Sequence, residues 1–164
     1  MKIKKFKKGF SLVEILIVIT IFAVIGLLST RSISQTLKSA KKSDSLVRVR
    51  ENVNYSLAVI ERQLRNSENI TCPNATTSLL TYVSLEGTAT SFSCVTSGAD
   101  KYIASGSGRL TSNDISVTSC SFNCTKDVNN PAIIKINVVA QDATGTAVEK
   151  GSVSAQTEII VRNY

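Results

Sequence analysis

Apolar and polar positions divide the 164-residue chain into three stretches of different period. Phe10 to Ser29 reads FSLVEILIVITIFAVIGLLS, 20 residues in which nearly every side chain is apolar. At about 1.5 Å per residue such a run can cross a hydrocarbon core of roughly 30 Å. Further on, Leu46, Val49, Val53, Leu57, Ile60 and Leu64 recur at steps of three and four, which places them on one face of a helix. The residues between these two runs are polar, yet no glycine or proline occurs from Leu27 to Cys72. The pattern predicts one helix from Phe10 to about Asn66, roughly 85 Å long. Its first part is apolar all round and suits lipid or other helices. Its second part has one apolar stripe and needs a sheet to cover it.

From Cys72 the period changes. Cys72-Pro73 is expected to end the helix, because proline disfavours helical backbone in the residue before it. Asn69 to Ser78 reads as a loop. Short β-branched and aromatic segments follow, separated by Gly, Ser, Asn and Asp. They predict strands at Leu79–Leu85, Ser91–Thr96, Lys101–Ala104, Ile115–Phe122, Ala132–Ala140 and Val153–Val161. In the fifth, Ile134, Ile136 and Val138 alternate with Lys135, Asn137 and Val139. In the sixth, Val153, Ala155, Ile159 and Val161 share a face, and that strand is expected at a sheet edge. Asp142 to Gly151 reads as the hairpin loop between them. The expected fold class is α+β: a long N-terminal helix, half membrane-type and half amphipathic, packed on an antiparallel β-sheet. The pattern sets four segments: 1–9 ahead of the apolar run, 10–29 a membrane-type helix, 30–68 its amphipathic continuation and 69–164 a sheet domain.

Charge sharpens the picture at the N-terminus. The formal net charge is +7, but Lys2, Lys4, Lys5, Lys7 and Lys8 precede the apolar run. Beyond Gly9, 14 Lys and Arg face 12 Asp and Glu; from Ser67 onward the count is six against eight. The lysines read as a signal that holds this end in the cytoplasm, and no nucleic-acid partner is expected of the remainder. A secretory signal peptide has a shorter apolar region followed by a small-residue cleavage site. A plain single-pass anchor explains the lysines and the length of the run. It does not explain Glu14, a carboxylate at bilayer depth that costs on the order of 3 kcal/mol to insert.

The junction KKGFSLVEILIVITIFAVIG resembles the N-terminus of type IV prepilins and of type II secretion pseudopilins. Gly9, Phe10, Leu12 and Glu14 match that pattern. The resemblance implies that prepilin peptidase cuts between Gly9 and Phe10 and methylates the new N-terminus on Phe10. It implies that Glu14 pairs with the N-terminal amine of a neighbouring subunit. The implied partners are other pilin or pseudopilin subunits, an inner-membrane assembly platform and membrane lipid. The implied location is the inner membrane, single-pass with the N-terminus cytoplasmic, and then an extracytoplasmic filament; residues 1–9 would be the leader peptide, 10–29 the transmembrane and filament-core helix and 69–164 the extracytoplasmic domain. The implied role is a structural subunit of a pilus or pseudopilus. Ile60-Glu61-Arg62-Gln63-Leu64-Arg65 and the strand-like Leu110–Phe122 look like minor pseudopilins of the J type, which would prime assembly. A pilus-presented adhesion or DNA-uptake module is the rival reading.

Four cysteines, Cys72, Cys94, Cys120 and Cys124, all lie beyond the apolar run. An even count in an exported domain points to two disulfides; free thiols and a metal site are the alternatives. No metal is expected: the chain has no histidine, and the spacings of 22, 26 and 4 suit no usual ligand set. Of three connectivities, pairing sequence neighbours gives Cys72–Cys94 with Cys120–Cys124. No enzyme activity or cofactor is expected. The usual general base is missing, and Asp and Glu in the sheet region are scattered singly, as on solvated faces or turns.

Overall fold

The computed structural model describes residues 11–98, 100–126, 131–144 and 149–161. Helix α1 spans Leu12–Arg65 and is followed by nine strands: β1 Asn69–Ile70, β2 Thr76–Thr77, β3 Leu79–Val83, β4 Ala89–Ser97, β5 Asp100–Ser105, β6 Gly108–Arg109, β7 Ile115–Thr125, β8 Ala132–Asp142 and β9 Ser152–Val161. The chain forms two compact units, Met1–Ala40 and Lys41–Tyr164.

In the first unit every described residue is exposed. Leu16, Ile19, Phe22 and Leu28 each leave more than half of their surface free. This segment is long and apolar enough to cross a membrane, and none of it is buried against the chain itself.

In the second unit the helix behaves as its stripe predicts. Val49, Val53, Leu57, Ile60 and Leu64 are buried, and Leu46 is half-buried. They join one core with Leu80, Phe92 and Ile103 from one sheet and Phe122, Ile134, Ile136, Val138 and Ile159 from another. The sheet region is therefore two antiparallel sheets rather than one. Their orders are β1-β3-β4-β5-β6 and β2-β7-β8-β9. Hydrogen bonds tie the helix to both: Tyr82 Oη on β3 donates to Gln63 Oε1 at 2.7 Å, and the Ser112 amide ahead of β7 donates to Asn52 Oδ1 at 3.0 Å.

All six expected strands are present, most of them longer at one or both ends. Strand β8 buries Ile134, Ile136 and Val138 and exposes Lys135 and Asn137. Strand β9 lies at the edge of its sheet. Three short strands were not expected. β1 and β2 occupy what reads as a loop, pairing Ile70 with Tyr82 and Thr77 with Phe122. β6 returns from the turn at Gly106 to pair with β5. A two-residue strand is too short to display a period, so composition alone makes it a loop.

The helix ends at Arg65, seven residues before Cys72. Ser67 closes it, its hydroxyl and amide both donating to the Leu64 carbonyl at 2.7 and 3.3 Å. The chain then turns into β1, so Cys72-Pro73 sits in the connection and does not end the helix. The supposed strand Leu110–Phe122 is also corrected, since Leu110–Asp114 is loop and pairing begins at Ile115.

Candidate functional site

The proposed junction, Gly9 and Phe10, lies outside the described residues. Glu14 is described. It sits in the first turn of α1, where its amide donates to the Ser11 carbonyl at 3.0 Å and the Ile15 amide reaches the same oxygen at 3.3 Å. A carboxylate in a first turn is favoured by the unpaired amides there. Its side chain is exposed among exposed Leu12, Val13, Ile15 and Leu16, and among the described residues it has no hydrogen bond or ion pair. Among the described residues no cation lies against it. In lipid or among packed helices such a carboxylate is costly unless a partner brings one.

The four cysteines form two disulfides, but nested, the outer two together and the inner two together, and not the expected Cys72–Cys94 with Cys120–Cys124. Cys72 bonds Cys124 with Cα atoms 5.1 Å apart, and Cys94 bonds Cys120 at 5.8 Å. The expected Cys120–Cys124 pair is ruled out by geometry. Both residues lie on β7, and four residues of strand span about 13 Å, well beyond disulfide reach. A bulge between Val117 and Ser119 sets this arrangement. Before it, Ile115 and Val117 face the core; after it the parity flips, Phe122 and Cys124 are buried and Cys120 is half-buried. Both bonds therefore converge on β7. One joins it to β4 of the other sheet, and the other to the segment between β1 and β2.

A buried polar junction that the sequence did not reveal links the helix to the β8–β9 hairpin. Asp142 is 2% exposed. Burial alone would raise its pKa, but the Thr144 hydroxyl and amide, the Ser45 hydroxyl and the Arg48 charge together hold it at about 2. The Thr144 hydroxyl and amide donate to Oδ1 at 2.7 and 2.9 Å, and Arg48 Nη2 lies 3.3 Å from Oδ2. Ser45 Oγ also accepts from the Gly151 amide at 2.9 Å. Asp142 is thus no solvated turn residue. The one local signal is Asp142-Ala143-Thr144, the spacing of an Asx turn.

Among the described residues no group of His, Cys, Asp or Glu could hold a metal ion. An open, polar hollow of about 380 Å³ lies between the end of the helix and β3–β5. Tyr82 projects into it with its pKa raised by burial, and its hydroxyl is spent on Gln63. Asp142 and Tyr82 thus hold the fold together.

No match to the chain was found among curated proteins or among solved structures. Residues 4–30 match the family model described as the prokaryotic N-terminal methylation motif, which implies processing by prepilin peptidase and stands here ahead of a pilin-like α+β fold.

Proposed function

We infer that this chain is a filament subunit of a type IV pilus or type II secretion pseudopilus. The observation that carries the reading is the methylation motif over residues 4–30, which takes in the apolar, exposed first part of the helix and Glu14, a carboxylate with no partner among the described residues. The peptidase cuts between Gly9 and Phe10, releases the five leader lysines and methylates Phe10. The new terminus stays cationic. Until assembly the apolar helix anchors the subunit in the inner membrane, with residues 69–164 outside the cytoplasm.

In the filament the helices of other subunits replace lipid. Glu14 then meets the Phe10 amine of a neighbour, and that ion pair sets the axial register of the incoming subunit. Removing one partner of a buried pair costs about 3–5 kcal/mol. A role beside the J-type minor subunits rests on Ile60–Arg65 alone, since part of Leu110–Phe122 is loop.

Glu14→Gln tests the pairing with little change of shape. The variant is expected to be inserted, processed and folded normally but to enter filaments at a small fraction of the parent level. Incorporation at the parent level would overturn the role given to Glu14.

A further inference from the structure

We propose that the hollow between the end of the helix and β3–β5 binds a neutral sugar unit, its free amide and charged side chains taking the hydroxyls of the ring. The site lies wholly within the unit Lys41–Tyr164 and does not depend on processing between Gly9 and Phe10.

The hollow has a fixed floor. Gln63 stands near the end of α1, Tyr82 on β3 and Ser105 on β5. The Tyr82 and Ser105 hydroxyls both donate to Gln63 Oε1, at 2.7 and 3.3 Å. Tyr82 is itself buried, its ring stacked on Phe92 with centroids 5.0 Å apart. The Gln63 amide is therefore held through its oxygen. Its Nε2 can donate two hydrogen bonds and has no partner among the described residues. The opposite rim is also fixed. The Ser84 amide donates to the Thr88 carbonyl and the Gly87 amide to the Ser84 carbonyl, both at 2.9 Å. These bonds close the turn that carries Leu85 and Glu86.

The unspent groups indicate the ligand. Arg62, Asn66 and Glu86 line the hollow, are exposed, and make no hydrogen bond or ion pair among the described residues. Arg65, by contrast, is spent on Glu61 at 2.7 Å. One guanidinium and one carboxylate leave the wall without net charge, which disfavours a phosphate. Leu85 is the one aliphatic side chain on the wall. An apolar ligand would therefore leave the amides facing it unpaired, at a cost.

A sugar ring meets these terms. Each of its hydroxyls both donates and accepts, so neighbouring hydroxyls suit the forked donors of Arg62 and the amides of Gln63 and Asn66. Glu86 accepts from a hydroxyl on the other rim, and the C–H face of the ring packs on Leu85. The volume of about 380 Å³ falls in the lower part of the range for small-ligand sites, roughly 300–1,000 Å³, and suits a mono- or disaccharide.

The test uses full-length protein in lauryldimethylamine oxide, a detergent without a sugar headgroup. Glucose, galactose, mannose, N-acetylglucosamine and maltose are titrated in turn, and binding is read by saturation-transfer NMR. At least one of these sugars is expected to saturate with a Kd of about 1–10 mM, as the efficiency of small ligands implies. Arg62→Ala with Asn66→Ala is expected to weaken that sugar about tenfold or more. Because neither side chain holds the fold, the thermal midpoint is expected to move by less than about 5 °C. Glu86→Ala, on the opposite rim, is expected to weaken the same sugar about threefold or more. Lys135→Ala, on the other sheet, is expected to bind as the parent does.

Saturation by none of these sugars up to about 50 mM would overturn the proposal. So would equal affinity in the parent and both hollow variants, or an equal loss in Lys135→Ala. Tighter binding of glycine or inorganic phosphate than of any sugar would overturn it in favour of a charged ligand. The intact mass of the same sample reports leader removal, so failure of the hollow and failure of the processing reading are distinguishable.

Discussion

Arg48 on the helix and Asp142 at the end of β8, 94 residues apart, meet with Nη2 3.3 Å from Oδ2. The carboxylate is almost wholly buried, while the Arg48 side chain keeps 52% of its surface. The two partners are therefore unequal. Arg48 is screened by water, and Asp142 depends mainly on the Thr144 and Ser45 hydrogen bonds.

That asymmetry sets a pH dependence. Asp142 is held at about 2 against an ordinary 3.8. A depressed pKa contributes stability that is fully present above about pH 4 and is lost as the pH falls toward 2. The size is roughly 2 kcal/mol. Asp142→Asn is expected to lose about that much at neutral pH and to flatten the fall in stability between pH 4 and 2, as read from urea unfolding. Arg48→Ala is expected to cost less than about 1 kcal/mol. An unchanged acid limb in Asp142→Asn would show that another group controls it.

Gly151 is fixed by close approach. A Cβ built there would stand 2.7 Å from the Leu46 amide nitrogen and 2.9 Å from its Cα, both backbone atoms that cannot swing aside. Gly151→Ala is expected to cost about 1–3 kcal/mol through overpacking. Gly108→Ala, whose nearest neighbour would be 3.5 Å away, is expected to change stability by under about 0.5 kcal/mol. Thermal midpoints of the two variants compare them directly, and equal midpoints would contradict the close approach.

The disulfides are a third point of test. Cys72–Cys124 and Cys94–Cys120 close separations of 52 and 26 residues. Loop closure makes each worth about 3–4 kcal/mol, somewhat more for the longer. Peptide mapping without reductant is expected to recover these two linked pairs. Cys94→Ser with Cys120→Ser is expected to loosen β4 from β7, read as faster amide exchange in both strands. A linked Cys72–Cys94 peptide would contradict the arrangement of β7.

The helix and the six longer strands were legible because each buries one face and so writes its period into the sequence. The stripe from Leu46 to Leu64 and the alternation of Ile134, Ile136 and Val138 are that record. The disulfide pairing was not legible, because it depends on which face of β7 Cys120 and Cys124 occupy. A single extra residue at the Val117–Ser119 bulge decides this, and no composition signal marks it. Asp142 was hidden for a related reason. Its neighbours Ser45, Arg48 and Gly151 come together only after the helix is laid against the hairpin, so a lone acid beside a loop looked solvated. At the N-terminus the reverse holds. Residues 4–30 are legible as a motif, and under the proposed function the spacing of Gly9, Phe10 and Glu14 answers to another protein and not to this chain's own core.

The most direct test of the central claim is the intact mass of the membrane-purified protein, with and without reductant. A filament subunit of this kind should lack residues 1–9, carry one added methyl group and gain on reduction the hydrogens of two disulfides. A mass equal to the full chain would contradict processing between Gly9 and Phe10. The roles given to Phe10 and Glu14 would fall with it, leaving a membrane-anchored domain whose fold stands unchanged.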